Sequence, residues 1–302
     1  MDGTIIVSEP SDISAIRVID WLFHYNCNVI KVNTDEKFVL NFKIDNTKTS
    51  SNIDKFKIWY RRGYFSFFDL KNNFNKYLSE ESKNVNFFIE KSNFQTFGSY
   101  FKEFSNNKIE NLYFAKLSGL KIPKTILTYS KKEVVDYFGE NKLLITKSIY
   151  KPYKDRKNGN WSFIESPTVF NSSDFIENFG LSQVQEYIKK KFEIRTFFFK
   201  DYHFSMAIFS QNNSNTKFDY RNYDEIFPNR LVPYELPKNI VGKLKKFMKL
   251  TNHDTGSIDI IYSTNNEYVF LEVNPQGQYD WLSGNCNYYI DKYIAEGLLN
   301  KN

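Results

Sequence analysis

Ser257-Ile-Asp-Ile-Ile-Tyr-Ser-Thr-Asn-Asn-Glu-Tyr-Val-Phe-Leu-Glu-Val-Asn-Pro-Gln-Gly-Gln278 is the stretch whose reading decides the fold. Two apolar runs alternating with period two, Ile258 to Tyr262 and Tyr268 to Val273, flank the turn residues Ser263-Thr264-Asn265-Asn266. That pattern predicts a β-hairpin. Asp259 leaves the first strand, and Glu272 and Asn274 leave the end of the second, so pairing the strands gathers oxygen ligands from distant positions. Hard oxygen ligands suit Mg²⁺, which keeps several waters and completes its shell with substrate phosphates. Taken alone, Asp259 is equally at home on an amphipathic hairpin whose acids face water. Glu272 weighs against that, because an acid set between Leu271 and Val273 needs a cation or a partner to offset its desolvation.

Around this stretch lie 302 residues, enough to bury a large core and divide into two or three lobes. Aromatic residues make up 18 %, which supplies core volume and excludes a disordered chain. The formal charge of +6, from 41 basic and 35 acidic residues, is mixed along the chain with no Arg-rich stripe. Such an excess attracts polyphosphate or an acidic peptide without pointing to nucleic acid. Cys27 and Cys286 lie far apart and form no C-x-x-C pair, so neither a zinc site nor a disulfide framework is predicted. A reducing cytoplasm is the compartment that fits. No apolar run reaches the roughly 18 residues of a membrane span, and no basic-then-apolar signal opens the chain, so no membrane partner is expected.

Upstream, a strand at Thr4–Val7, a helix from about Ile13 to Tyr25 and a strand at Val29–Val32 form a β-α-β opening, hence a parallel sheet. It lacks G-x-G-x-x-G, so a Rossmann dinucleotide site is unsupported. The strand from Lys57 ends in Arg61 and Arg62, which either clamp a carboxylate or phosphate or serve as structural strand-end charges. The stretch from about Asn73 to Tyr100 is compatible with helix, and Asn107 to Gly119 reads as a helix stopped by Gly119. Further strands are predicted at Ile122–Thr128, Leu143–Ile149, Val184–Ile188, Phe192–Phe199 and His203–Ser210, and helices at Leu236–Leu250 and Tyr288–Leu299.

Lys147, inside an apolar strand, is a candidate to meet a phosphate oxygen. The polar loop after it contains Asn158-Gly159, either a phosphate-covering loop or a hairpin turn. Glu193 and Arg195 are two apart in a strand and point to one face, as an ion pair or as ribose acceptor and phosphate clamp. Asp219 and Arg221, in an Asn-rich loop, read on their own as solvated residues.

In order, Lys147, Gln185-Glu-Tyr-Ile188, Glu193-Ile-Arg195, Asp259 and Glu272-Val-Asn274 resemble the ATP-grasp ligases. Within them the chain is most similar to the graspetide-forming maturases of ribosomal peptides, grasp-with-spasm type. Trp59-Tyr-Arg-Arg62, Ile122-Pro-Lys-Thr125, Asp219-Tyr-Arg221 and Phe270–Gln278 carry that similarity. The resemblance implies an α/β (α+β) ATP-grasp fold with an N-terminal pre-ATP-grasp domain over 1–118, a central lobe over 119–188 and a C-terminal lobe over 189–302. ATP would lie between the last two.

The same resemblance assigns roles. Lys147 meets the α- or β-phosphate, the backbone around Glu186, Tyr187 and Ile188 the adenine, and Glu193 the ribose; Lys108 and Gln185 complete the nucleotide contacts. Asp259, Glu272 and Asn274 hold Mg²⁺. The implied activity joins Asp or Glu side chains of a precursor peptide, recognised by leader and core, to Ser/Thr hydroxyls or Lys amines. Arg195 neutralises charge on the transferring phosphoryl group, Arg221 orients the substrate acid and Asp219 takes the proton of the attacking hydroxyl. A homo-oligomer, dimer or tetramer, is expected. The alternatives are an ATP-grasp ligase that adds an amino acid or amine to a carboxylate, and a nucleotide-binding module without catalysis.

Overall fold

Three main sheets carry the chain in the computed structural model, which describes residues 3–68, 75–92, 94–147, 149, 153–157, 160–164, 168–213, 216–218, 220 and 226–300. The first is the predicted parallel sheet, with Val29–Asn33, Gly3–Ser8, Phe56–Arg61 and Gln95–Phe97 side by side in that order. Helix Ile13–His24 starts at Asp12, whose carboxylate accepts the Ala15 amide at 3.0 Å. It packs Ala15, Val18 and Leu22 against Ile6 and Trp59, while helix Asn75–Lys91 sets Ile89 on the opposite face against Ile5 and Ile58. The helix-compatible stretch therefore ends at Lys91. Pairing of Gln95–Phe97 with Lys57–Trp59 overrides local propensity, and a new helix, Tyr100–Ser105, follows with Ser99 as its cap.

The second sheet is antiparallel, in the order Thr168–Asn171, Leu143–Lys147, Asn178–Glu186, Thr125–Ser130. The strand expected at Val184–Ile188 starts earlier and ends at Glu186. Where a polar loop was expected, Tyr153–Lys157 and Asn160–Ile164 pair as an antiparallel ladder. Asn158 and Gly159 lie outside the described residues.

The third sheet orders its antiparallel strands Arg230–Tyr234, Tyr202–Phe209, Lys190–Phe199, Thr255–Ser263 and Tyr268–Asn274. Its last two strands are the predicted hairpin, closed by Tyr262 opposite Tyr268 and by the Ser263 amide donating to the Glu267 carbonyl at 2.9 Å. Helices Lys108–Leu117 and Lys238–Leu250 cover one face, packing Leu112, Ala115, Leu244 and Phe247 on Ile194, Phe198, Ile258 and Phe270. Asn107 caps the first of these helices through the amides of Ile109 and Glu110, and Gly119, at φ +80°, stops it as predicted. On the other face Phe197, Phe199 and Met206 join the N-terminal layer and two closing helices, Asp280–Cys286 and Ile290–Leu299, in place of the one expected. No helix among the described residues is long and apolar enough to cross a membrane.

Arg61 joins the first sheet to the end of the hairpin. Its Nη1 donates to the carbonyls of Gln276 at 2.5 Å and Gly277 at 2.8 Å, and its Nη2 to Ser14 Oγ at 2.9 Å. Nε lies 3.4 Å from Asp12 Oδ2, and the Tyr279 ring sits under the guanidinium at 5.1 Å. At 2 % exposure it is consumed by the fold, so the structural alternative holds for Arg61. Arg61→Met strands Asp12 and two carbonyls in a dry interface. It is expected to cost about 3–5 kcal/mol, measured as a lowered urea midpoint; an unchanged midpoint contradicts the anchor role.

Candidate active site

Between the second and third sheets runs a cleft that is open at its mouth. The second sheet contributes Ile145, Lys147, Gln185 and Glu186, with Pro123 and Ile188 beside them; the third contributes Lys190, Glu193, Asp259, Ile261, Leu271 and Glu272. Phe218 and Tyr220 close one side. Seven of the residues singled out in the sequence thus meet: Lys147, Gln185, Glu186, Ile188, Glu193, Asp259 and Glu272.

The carboxylates are aimed by register. Arg195 stands opposite Asp259 on one side, and Asp259 opposite Glu272 on the other. Ile260 pairs with Phe270, so Leu271 is an extra residue in the last strand, a β-bulge. Phe270 and Val273 both enter the core, and Leu271 and Glu272 both face the cleft. Strict alternation from Phe270 would have driven Glu272 into the helix layer. Arg195 Nη1 donates to both Asp259 oxygens, at 2.9 and 2.7 Å. Burial opposes the charge of Arg195, but Asp259, Tyr220 and Glu272 together more than offset this and raise its pKa.

Lys190, which the sequence reading passed over, belongs to the site. It sits in the run Lys189-Lys-Lys191, where lysines read as solvated. A register shift between Lys190 and Phe192 turns it inward, where its ammonium pairs with Glu193 Oε1 and donates to the Phe218 carbonyl at 3.2 Å. Ser210 Oγ donates to the other Glu193 oxygen at 2.5 Å. Burial pushes the Glu193 carboxyl up, and Lys190 and Ser210 pull it back. Glu193 and Arg195 therefore share a face without pairing to each other. Each has a different partner.

On the opposite wall Gln185 is buried and donates to Thr125 Oγ1 at 3.0 Å, and a Glu186 oxygen accepts the Lys124 amide at 2.8 Å. The amides of Glu186 and Tyr187 are engaged with the Lys124 and Leu143 carbonyls. Tyr187 is not a lining residue; its ring packs edge-on against Phe218, 5.9 Å between centroids. Lys147 ends its strand opposite Gln183 and makes no ion pair with a described residue.

Three other expected residues stand apart from the cleft lining. Asn274 pairs with Ser257 at the strand end, and its side-chain oxygen accepts the Gly277 amide at 3.1 Å. Lys108 opens the helix on the sheet's far face, and Arg195 lies behind Asp259. Asp219 and Arg221 lie outside the described residues. Between them Tyr220 lines the cleft, its hydroxyl 3.4 Å from Asp259 Oδ1. Among the described residues no three His, Cys, Asp or Glu side chains cluster as a metal site. Two facing carboxylates remain, which is the usual protein share of a Mg²⁺ shell completed by phosphates and water.

No family model and no curated protein matches the sequence. Solved structures do match along the full chain. A Chryseobacterium gregarium RiPP-associated ATP-grasp ligase, in complex with ADP and a leader and core peptide, superposes with a TM-score of 0.82 at 23 % identity, covering 100 % of this chain and 98 % of that one. The macrocyclase MdnC of Microcystis aeruginosa MRC, bound with precursor peptide MdnA, gives 0.76 at 22 % identity over 99 % of both. D-alanyl-alanine synthetase A of Vibrio cholerae gives 0.59 at 12 % identity, covering 100 % of this chain and 99 % of that one. With its two antiparallel sheets enclosing the cleft and a parallel sheet before them, the chain has the ATP-grasp fold.

Proposed function

We propose that the protein is an ATP-dependent macrocyclase of a ribosomal precursor peptide. A side-chain carboxylate of Asp or Glu attacks the γ-phosphorus of ATP, giving an acyl phosphate and ADP. A Ser or Thr hydroxyl or a Lys amine then attacks the acyl carbon and releases phosphate, closing an ω-ester or ω-amide. In this reading residues 1–118 are the pre-ATP-grasp domain, and 119–188 and 189–302 the two lobes that hold the nucleotide. The observation that carries it is the cleft itself, where a lysine with no ion-pair partner among the described residues comes from one sheet and two register-matched carboxylates come from the other. Full-length likeness to structures whose bound molecules are ADP and precursor peptides supports the choice of substrates.

The chain's own residues divide the work. Lys147 holds phosphate oxygens as a point charge. Gln185, Glu186 and Ile188 line the end suited to the adenine, and Glu193, fixed by Lys190 and Ser210, suits the ribose hydroxyls. Asp259 and Glu272 would hold Mg²⁺, with Asn274 as a further oxygen ligand. When bound, Mg²⁺ neutralises phosphate charge. Arg195 keeps Asp259 in place and adds positive charge behind it. Asp219 serves as base and Arg221 as carboxylate clamp in this reading, roles that the resemblance of Asp219-Tyr-Arg221 to the family element suggests.

Intact mass of a co-expressed peptide tests the reading. A Ser/Thr- and Asp/Glu-rich peptide encoded beside the gene is the first substrate to try, and each ring removes one water. Gain of a residue instead would establish the amino-acid ligase, and binding without turnover the non-catalytic module. Lys147→Ala loses a charge-assisted bond of about 1.5–3 kcal/mol, so KM for ATP is expected to rise roughly 10- to 150-fold with peptide affinity nearly unchanged; equal losses for both would indicate a folding role. Arg221→Ala is expected to bind ATP normally by calorimetry yet form no crosslink. Asp219→Asn is expected to slow ring closure by about 10²–10⁴, and normal cyclisation by either variant returns that residue to a solvated loop.

A further inference from the structure

A second crevice opens at the carboxyl ends of the parallel sheet, where Arg62, Gly63, Tyr64 and Tyr100 line it together with Glu9, Thr34, Glu103 and Gln276. The strand Gly3–Ser8 has Val29–Asn33 on one side and Phe56–Arg61 on the other, and helices Ile13–His24 and Asn75–Lys91 lie on opposite faces. Open parallel sheets bind ligands at this kind of switch point, outside the carboxyl ends of their strands. The Asn274–Gln276 turn separates the crevice from the end of the hairpin that carries Glu272.

The crevice is built around Arg62. Its backbone holds φ at +54°, uncommon for a residue with a side chain of that size. The Gln276 side chain fixes that conformation, accepting the Arg62 amide at 2.9 Å and donating to the Ser99 carbonyl at 3.2 Å. Gly63 packs so tightly that a Cβ would stand 2.8 Å from Thr34 Cγ2. Arg61 is spent on the fold, but the half-buried Arg62 guanidinium has no carboxylate partner among the described residues. Beside it the Tyr64 and Tyr100 rings lie 5.0 Å apart. Burial and Tyr64 push the Tyr100 hydroxyl up to about 12, so it stays a donor. Of the two acids, Glu9 is at the exposed rim and Glu103 already has another contact.

We infer that this crevice is a second peptide-contact site that takes an Asp or Glu side chain of the substrate peptide on Arg62, away from the cleft where rings would close. The inference rests on the peptide-substrate reading above. The guanidinium fork matches a carboxylate bidentately. The paired rings offer a face to an apolar neighbour of that acid, and Glu9 at the rim favours a basic residue next to it.

The probe is N-acetyl-Phe-Glu-Lys-amide, with N-acetyl-Phe-Gln-Lys-amide as neutral control, titrated into the full chain with Mg·ADP present. Hydrogen exchange locates the contact. The acidic probe is expected to bind about 10-fold or more tightly than its control, to protect amides at 62–64, and to lose its advantage in Arg62→Gln, which keeps a long side chain and native ADP affinity. Equal affinity for the two probes, or a preference that survives Arg62→Gln, overturns the inference. Lys147→Ala, run in parallel, separates the two readings. A Lys147→Ala chain that binds Mg·ADP as tightly as wild type yet keeps the Arg62-dependent preference sinks the nucleotide cleft and leaves the crevice; weakened Mg·ADP binding in Lys147→Ala, with no acidic-probe preference in wild type, does the reverse.

Discussion

Glu272 faces the cleft because one residue, Leu271, is inserted into its strand. The bulge lets Phe270 and Val273 both fill the core between sheet and helices while the acid between them turns the other way. Across the ladder it stands opposite Asp259, which Arg195 grips from the next strand. Three adjacent strands therefore set a cation and two acids in one row. Leaving two acids side by side in a half-buried cleft is costly without positive charge, and Arg195 supplies part of it. In the function proposed above, a metal and its phosphates would add to that positive charge.

The position of that row depends on what holds the hairpin's far end. After Asn274 the chain turns sharply through Gly277, at φ +48°, where a Cβ would lie 2.6 Å from Ser257 Oγ. Arg61 grips the carbonyls of this turn from the parallel sheet, and Gln276 reaches back to the Arg62 amide. The N-terminal layer is thereby tied to the strand that carries Glu272.

Much of this was legible in the sequence because alternation survives over long strands. Glu193 and Arg195 share a face while Ile194 and Phe198 pack on the other, as period two requires. The hairpin, the parallel opening and the Gly119 stop follow from equally local chemistry. Lys190 was hidden because a register shift reverses its face, and a lysine in a run of three carries no sign of that. Leu271 was hidden because the bulge reverses its face, and Phe218 and Tyr220 because they line the cleft by tertiary placement. The short strand Gln95–Phe97 could not be separated from the helix before it, since its identity depends on pairing with residues some forty positions earlier.

Mn²⁺ binding, followed by electron paramagnetic resonance with ADP present, tests the Asp259–Glu272 pair most directly. Mn²⁺ takes the oxygen ligands of Mg²⁺ and reports binding without any peptide or turnover. The wild-type chain is expected to bind one Mn²⁺ with ADP, and Glu272→Gln, whose volume is the same, to bind it at least about 10-fold more weakly, the loss of one charged ligand contact. Equal Mn²⁺ affinity in a folded Glu272→Gln variant would contradict the assignment and leave the bulge as a feature of packing alone.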